Sequence, residues 1–518
     1  MTTLSFIILC PLIGALVIAL LPRTFNVLFR GVALLTTLLS LIGAIRVFVA
    51  FHPGAPGLQF EEHVPWVYSL GVRIAYHVGI DGLNVGLVLM AAIVAFAAAC
   101  VSREITTRQK EYYILLLAMS GGILGAFASF DLFFFYFFHE LALVPTFIMI
   151  GIWGRGPDRN YAAFKITLYL SLGALIALIG LIALYVAAGA RSFDLLELKR
   201  HLAAHPLPIA TQQAIFPLLL FGFGILVSLW PFHTWAPLGY GAAPTATAML
   251  HAGALKKFGL YGLLRVAIPF LPAGAEAWVN VIAVLALGNL LYCGLVAVRQ
   301  KNLNLLIGNS SVAHMGFVFL GLASLSLVGI TGAVVVMVAH GLLAALSFAL
   351  SGWLYQRLGT LEMEQMGGLL RRLPFIGTLM IMAMMAGCGL PGFSNFSGEV
   401  LVLFGAWSVL TKATVVAAWA ALIVGAVYTL GAVRTALHGP LPERWARVTD
   451  LPNAWQRLPF LLLIGGLLLF GCWPRLLTDR IEPAARAVVE SVKGQPLTAA
   501  LPSPGASRAL ALRAAPTP

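Results

Sequence analysis

Apolar stretches of about twenty residues recur along this chain from its start to about position 474, and few charges interrupt them. Twenty apolar residues is the length a helix needs to cross bilayer hydrocarbon, and a helix satisfies its own backbone there. The chain has 518 residues, 60% hydrophobic and 10% charged, against about 25% charged in a soluble domain. The sequence therefore predicts an all-α polytopic membrane protein. Fourteen spans are expected, at 3–22, 31–51, 80–100, 112–130, 132–152, 161–189, 214–233, 244–268, 276–298, 303–323, 328–356, 373–391 continuing to 408, 413–437 and 458–474.

The formal charge of +13 is not a nucleic-acid signal, because the basic residues sit in short loops between spans. Loops after odd-numbered spans hold Arg23, Arg30, Arg103, Arg108, Lys110, Arg155, Arg159, Arg299, Lys301, Arg357, Arg371, Arg372, Arg444 and Arg447. Loops after even-numbered spans, leaving out the tail, hold only Arg73, Arg191, Lys199, Arg200 and Lys412. The positive-inside rule then sets both termini outside, in the periplasm of a bacterium. Met1 to Leu21 lacks a basic leader and is read as a retained first helix. Cys10, Cys100, Cys293, Cys388 and Cys472 lie far apart, and no metal site, iron–sulfur cluster or nucleotide loop is signalled. His201 and His205 have a metal-ligand spacing but no evident third ligand.

Two spans look broken, one around Trp230-Pro231-Phe232-His233-Thr234-Trp235-Ala236-Pro237 and one over Gly387 to Glu399. They are the seventh and twelfth. Helices four to eight and nine to thirteen then form two five-helix units, each broken in its fourth helix and inverted relative to the other, a pattern that marks transporters. The expected division is 1–111 as an N-terminal three-helix segment, 112–268 and 276–437 as the two units, 438–479 as a C-terminal helix and 480–518 as a disordered tail.

Glu140, Lys165, His251, Lys256, Lys257, His314, His340 and Glu399 all fall within apolar segments. A charge there costs at least about 2.5–3.5 kcal/mol, so a functional role is the default reading. Burial disfavours the charged form of Glu and Lys alike, and His titrates near neutrality. Such groups suit proton transfer. His139 is read as packing, since a neighbouring helix position points about 100° away from Glu140, and the Phe-rich stretch 133–138 as lipid-facing and packing surface.

Several segments, in order over roughly 80 to 410, resemble the antiporter-like M subunit of bacterial NADH:quinone oxidoreductase, respiratory complex I. They include Phe138-His139-Glu140-Leu141-Ala142-Leu143-Val144-Pro145, Trp230-Pro231-Phe232-His233-Thr234-Trp235, Lys257-Phe258-Gly259-Leu260-Tyr261-Gly262, Ser311-Val312-Ala313-His314, Val338-Ala339-His340-Gly341 and Gly389-Leu390-Pro391-Gly392 through Glu399. The resemblance implies a hydrophilic axis across the membrane, with Glu140 as the essential glutamate, Lys257 as the central lysine, His314 and His340 as linking histidines and Glu399 as the terminal glutamate. It implies no redox cofactor in this chain, with NADH, FMN, iron–sulfur clusters and quinone held by other subunits. The implied partners are L-type and N-type antiporter-like subunits on either side and the lipid bilayer of a bacterial inner membrane. An Mrp-type cation/proton antiporter or a proton-pumping hydrogenase is the alternative assembly.

The sequence departs from this family in one place that matters. The family lysine five residues before the Pro of the PFHTW segment is Leu226 here. His251 and Lys256 are polar where the family tends to be apolar, so one of them is expected to partner Glu140. Asn302 and Asn304 likewise replace a family Asp and Lys.

Overall fold

The computed structural model describes residues 2–69 and 72–494, and the expected disordered segment beyond 494 lies outside them. The chain begins with α1 (Thr3–Leu20) and α2 (Asn26–Ala50), followed by an antiparallel hairpin of β1 (Gln59–Ser69) and β2 (Val72–Ile80). Next come α3 (Val85–Val101), α4 (Gln109–Ala128), α5 (Leu132–Trp153) and α6 (Arg159–Ala188). A short α7 (Leu195–Ala204) precedes α8 (Ile209–Val227) and α9 (Trp235–Ala242). Helix α10 (245–270) contains two π turns, His251–Leu255 and Leu263–Ala267. The remainder is α11 (Pro272–Val298), α12 (Leu303–Ala323), α13 (Leu327–Leu358), α14 (Pro374–Gly387), α15 (Ser394–Trp407), α16 (Thr411–Leu437), α17 (Ala454–Cys472) and α18 (Arg475–Lys493).

Twelve of these helices, among the described residues, are long and apolar enough to cross a membrane. The other two expected spans are segmented, as α10 with its π turns and as the α14–α15 pair. Helix starts follow the local sequence. Asp131 caps α5 by accepting from the Phe133 and Phe134 amides, and Asn302 caps α12 by accepting from those of Asn304 and Leu305. Side-chain caps of this kind satisfy amides that have no partner within the helix. Helix α13 is the central pillar, buried along almost its whole length, and it packs against α3, α10, α12, α15, α17 and α18.

Three elements depart from the expectation. The hairpin fills the connection between the second and third spans. The polar loop after the sixth span contains α7. The tail expected to be disordered from 480 is helical as far as Lys493, because Leu477, Ile481, Ala485, Val488, Val489 and Val492 form a buried stripe at helical spacing. That stripe packs against α10, α11 and α13. Its opposite face is polar, so overall hydrophobicity does not reveal it.

Both helix breaks are real, and the first is held by a residue that the sequence does not flag. Between α8 and α9 the backbone leaves helical geometry, and Asn289 from α11 meets it. The Asn289 amide oxygen accepts from the Trp230 amide at 2.7 Å. Its amide nitrogen donates to the Ser228 carbonyl at 3.1 Å and to the Val312 carbonyl of α12 at 2.9 Å. Irregular backbone at membrane depth persists only where protein or water satisfies it. Replacing Asn289 by Leu should therefore cost roughly 1–3 kcal/mol per buried group left unpaired. The check is a lowered thermal unfolding midpoint of the purified assembly, with Asn289→Gln less affected.

Candidate functional site: a buried polar axis

The axis starts on α10. The π turn over His251–Leu255 widens the helix immediately before two fully buried lysines, Lys256 and Lys257. Single π turns inside α-helices are frequent at functional sites. The Lys257 ammonium donates to the Ala252 carbonyl at 2.5 Å and meets His340 Nδ1 on α13 at 2.8 Å. The His340 ring lies 5.6 Å from that of His314 on α12, centroid to centroid. His314 Nδ1 in turn lies 3.0 Å from the Glu399 carboxylate on α15.

Lys257, His340, His314 and Glu399 thus form one connected row. The two histidines occur in space in the reverse of their sequence order. Glu399 follows the second helix break, and its carboxylate is tucked beside Gly389, whose positive φ of 74° suits the turn there.

Two small cavities flank His314, each of about 20 Å³ and so roomy enough for about one water. One is lined by Ser310, Ser311, His314, His340, Ser347 and Thr429 among others. The other is lined by His314, Glu399 and Tyr428 among others. His314 Nε2 is buried without a protein partner, as are the side-chain polar atoms of Ser394 and Asn395 at the second break. An unpartnered polar atom beside a cavity, as at His314, is what an internal water needs.

Lys256 faces differently from Lys257. Its ammonium lies 3.3 Å from both the carbonyl and the hydroxyl of Ser311 and 5.7 Å from the centre of the Tyr240 ring. His251 Nδ1 meets the Tyr240 hydroxyl at 3.2 Å. Neither residue reaches Glu140, so the expected replacement for the missing lysine is not what the structure brings together. Helix α10 aims both side chains at α9 and α12, whereas Glu140 lies on the outer flank of α5.

Glu140 is 32% exposed in this chain. Among the described residues the one basic group within ion-pairing distance is its neighbour His139, with Nδ1 at 3.5 Å from the carboxylate. His139 also stacks on Phe258 at 4.0 Å, beside Lys257 in sequence. The expectation that His139 merely packs considered where its Cβ points and not how far a flexible Glu side chain swings back. Lys165 is half-buried on α6, with its ammonium 5.6 Å from the centre of the Tyr161 ring. Leu226 is buried among apolar neighbours. In the Phe-rich stretch, Phe135 and Phe138 are buried and Phe137 is exposed.

His201 and His205 stack on one another at 4.9 Å, and His201 Nε2 bonds the Ala188 carbonyl. At one end of the helices, Arg265 holds Asp81 through two contacts of 2.5 and 2.6 Å. At the other, Glu104 pairs with Arg155 and accepts from the Thr245 amide at 2.7 Å.

Comparisons with known proteins agree with this fold. The chain is 33% identical to NADH-quinone oxidoreductase subunit M of Rhodobacter capsulatus, covering 94% of this chain and 96% of that protein. It is 34% identical to NAD(P)H-quinone oxidoreductase chain 4 of Gloeobacter violaceus, covering 93% and 91%. Its fold is similar to a chain of respiratory complex I from Thermus thermophilus with bound NADH, with a TM-score of 0.85 and 29% identity over 94% of this chain and 99% of that one. A chain of the Mrp complex from Dietzia shares the fold at a TM-score of 0.80 and 19% identity, covering 95% and 100%. Residues 129–424, which include the whole polar row, match the transmembrane family model described as NADH:quinone oxidoreductase/Mrp antiporter, and this chain belongs to that family.

Proposed function

We propose that this chain is the M-type proton-translocating membrane subunit of an NADH:quinone oxidoreductase, passing protons along its buried row while redox chemistry proceeds in other subunits. The observation that carries the reading is the row in which Lys257 meets His340, the His340 and His314 rings lie 5.6 Å apart, and His314 meets Glu399. The relatives at 33–34% identity over nine-tenths of the chain carry quinone oxidoreductase names, and this favours that assembly over the Mrp kind.

In this reading Lys257 is the central store of a proton. Its ammonium gives a proton to His340 Nδ1, the two rings relay it with water at His314 Nε2, and Glu399 receives it. A proton on Glu399 removes a carboxylate from the row, and the loss of charge is felt back at Lys257 through a poorly polarisable interior. Lys256 serves the same row from the side, through Ser311 and the cavity that Ser311 shares with His314 and His340.

The two five-helix units, 112–268 and 276–437, are proposed as inverted halves of the transporter, with both chain termini outside. The first half is completed by a neighbour. Glu140 has lost its family lysine, is part-exposed on the flank of α5, and is surrounded there by exposed apolar side chains of Phe137, Val144 and Ile148. An antiporter-like subunit packed on this flank would supply the basic or water-bearing group that Leu226 cannot. L-type and N-type subunits are proposed on the two sides, and NADH, FMN, iron–sulfur clusters and quinone are assigned to other chains.

The test is proton uptake by proteoliposomes holding the intact complex, measured per NADH oxidised. Lys257→Met and Glu399→Gln should each lower the ratio or the coupled rate by about tenfold, a barrier of about 1.4 kcal/mol or more. Full pumping by both variants would remove the function assigned to the row. Lys256→Met should reduce the coupled rate by a smaller factor, roughly two- to fivefold, or about 0.4–1 kcal/mol. Moving the lysine back with Leu226→Lys should leave Glu140→Gln variants unrepaired. If Glu140 is completed across the subunit boundary, Glu140→Gln should lower pumping in the assembled complex, and normal pumping would exclude that role.

A further inference from the structure

Away from the polar row, one cluster of side chains is used by nothing described so far. It lies where the β-hairpin meets α7. The strand register sets His63 directly opposite His77, and their rings stand 4.9 Å apart at 73°. Asp194, 117 residues further along the chain from His77, joins them as the N-cap of α7. One carboxylate oxygen, Oδ1, accepts from the Leu196 and Glu197 amides at 2.9 Å each. The other, Oδ2, turns to the histidines, in close contact with His77 Nδ1 and 3.9 Å from His63 Nε2. These three donor atoms all lie within 4.8 Å of one another.

We propose that His63, His77 and Asp194 form a binding site for a zinc-class divalent cation. The donor set decides the class. Two imidazoles and one carboxylate suit zinc and the late first-row metals, whereas magnesium and calcium take oxygen ligands almost throughout.

Glu61 supplies the supporting contact. It lies 2.9 Å from His77 Nε2, and a carboxylate at one ring nitrogen fixes the proton there and frees the other nitrogen for a metal. With that proton on Nε2, His77 Nδ1 and Asp194 Oδ2 face each other as two acceptors. A cation must stand between them, either a proton or a metal. A bridging proton accounts for the His77–Asp194 contact, and a metal would in addition draw on His63 Nε2, which stands 3.9 Å from the same oxygen.

Tetrahedral zinc ligands at bonds of about 2.0–2.1 Å stand roughly 3.3 Å apart, so the close His77–Asp194 contact must open a little and His63 must move inward from 3.9 Å. His63 can do so, because its side chain is 38% exposed whereas His77 and Asp194 are buried. The same exposure gives the ion its way in and leaves a fourth position for water. Binding displaces the proton shared by Nδ1 and Oδ2 to solvent and leaves the metal held by two nitrogens and one oxygen.

The position gives such a metal something to hold. The Arg73 amide donates to the Arg191 carbonyl at 2.9 Å, and the Phe193 amide donates to the Arg73 carbonyl at 3.0 Å. Beside them the Ala75 amide donates at 3.1 Å to Asp131, the cap of α5. An ion on β1, β2 and α7 would therefore fasten the hairpin over the start of the helix that carries Glu140.

The experiment uses the intact complex, stripped with chelator and dialysed against micromolar zinc chloride, or cobalt chloride for spectroscopy. Wild type should retain one more zinc per complex than His63→Gln by elemental analysis, and its cobalt form should show visible d–d bands absent from that variant. His63→Cys, which restores a ligand, should recover both. Equal metal content and equal spectra in wild type and His63→Gln would overturn the site. Loss in His63→Cys as well as in His63→Gln would also overturn it, since His63 would then act other than as a ligand.

Discussion

The arrangement depends on where one buried ammonium finds its partners. Lys257 sits in an environment that excludes water, and an unpaired cation there is costly. Two acceptors meet it, the Ala252 carbonyl within a π turn and the ring of His340. The first ties the lysine to its own helix. The second ties α10 to the central pillar α13, which also packs against the helices bearing His314 and Glu399. A group that the bilayer should expel is thereby made the node at which four helices meet.

The polar row was largely legible in the sequence because charge is rare in apolar spans. Lys257, Glu399, His314 and His340 stood out as types that do not belong in hydrocarbon, and the breaks stood out through Pro and Gly. What periodicity cannot give is spatial order. The contact of Lys257 with His340 rather than His314 depends on how α12 and α13 are rotated, and no spacing along one helix encodes that. Asn289 was invisible for a related reason. A lone Asn in a span reads as tolerated polarity, and its value lies in backbone groups some sixty residues away. The α18 strap and the hairpin were missed because their apolar residues are diluted by polar ones on the opposite face, which depresses any windowed hydrophobicity.

The two proposed five-helix units are unequally furnished. The second holds His340, His314 and Glu399, with Lys257 of the first in contact with His340 and cavities beside His314. The first has a carboxylate at the surface, a histidine beside it and a leucine where a cation would stand. Lys256 and His251 do not fill that gap, since their partners are Ser311 and Tyr240. Leu226 belongs to the buried apolar core around α8, and His251 and Lys256 lie on α10.

The Asn289 side chain has a mechanical consequence. It bonds the irregular turn between α8 and α9 and, through the same amide nitrogen, the Val312 carbonyl two residues before His314. One small planar group is thus a shared pin between the discontinuity after α8 and the helix α12 that carries His314. A turn of either piece therefore strains hydrogen bonds that the same side chain makes to the other.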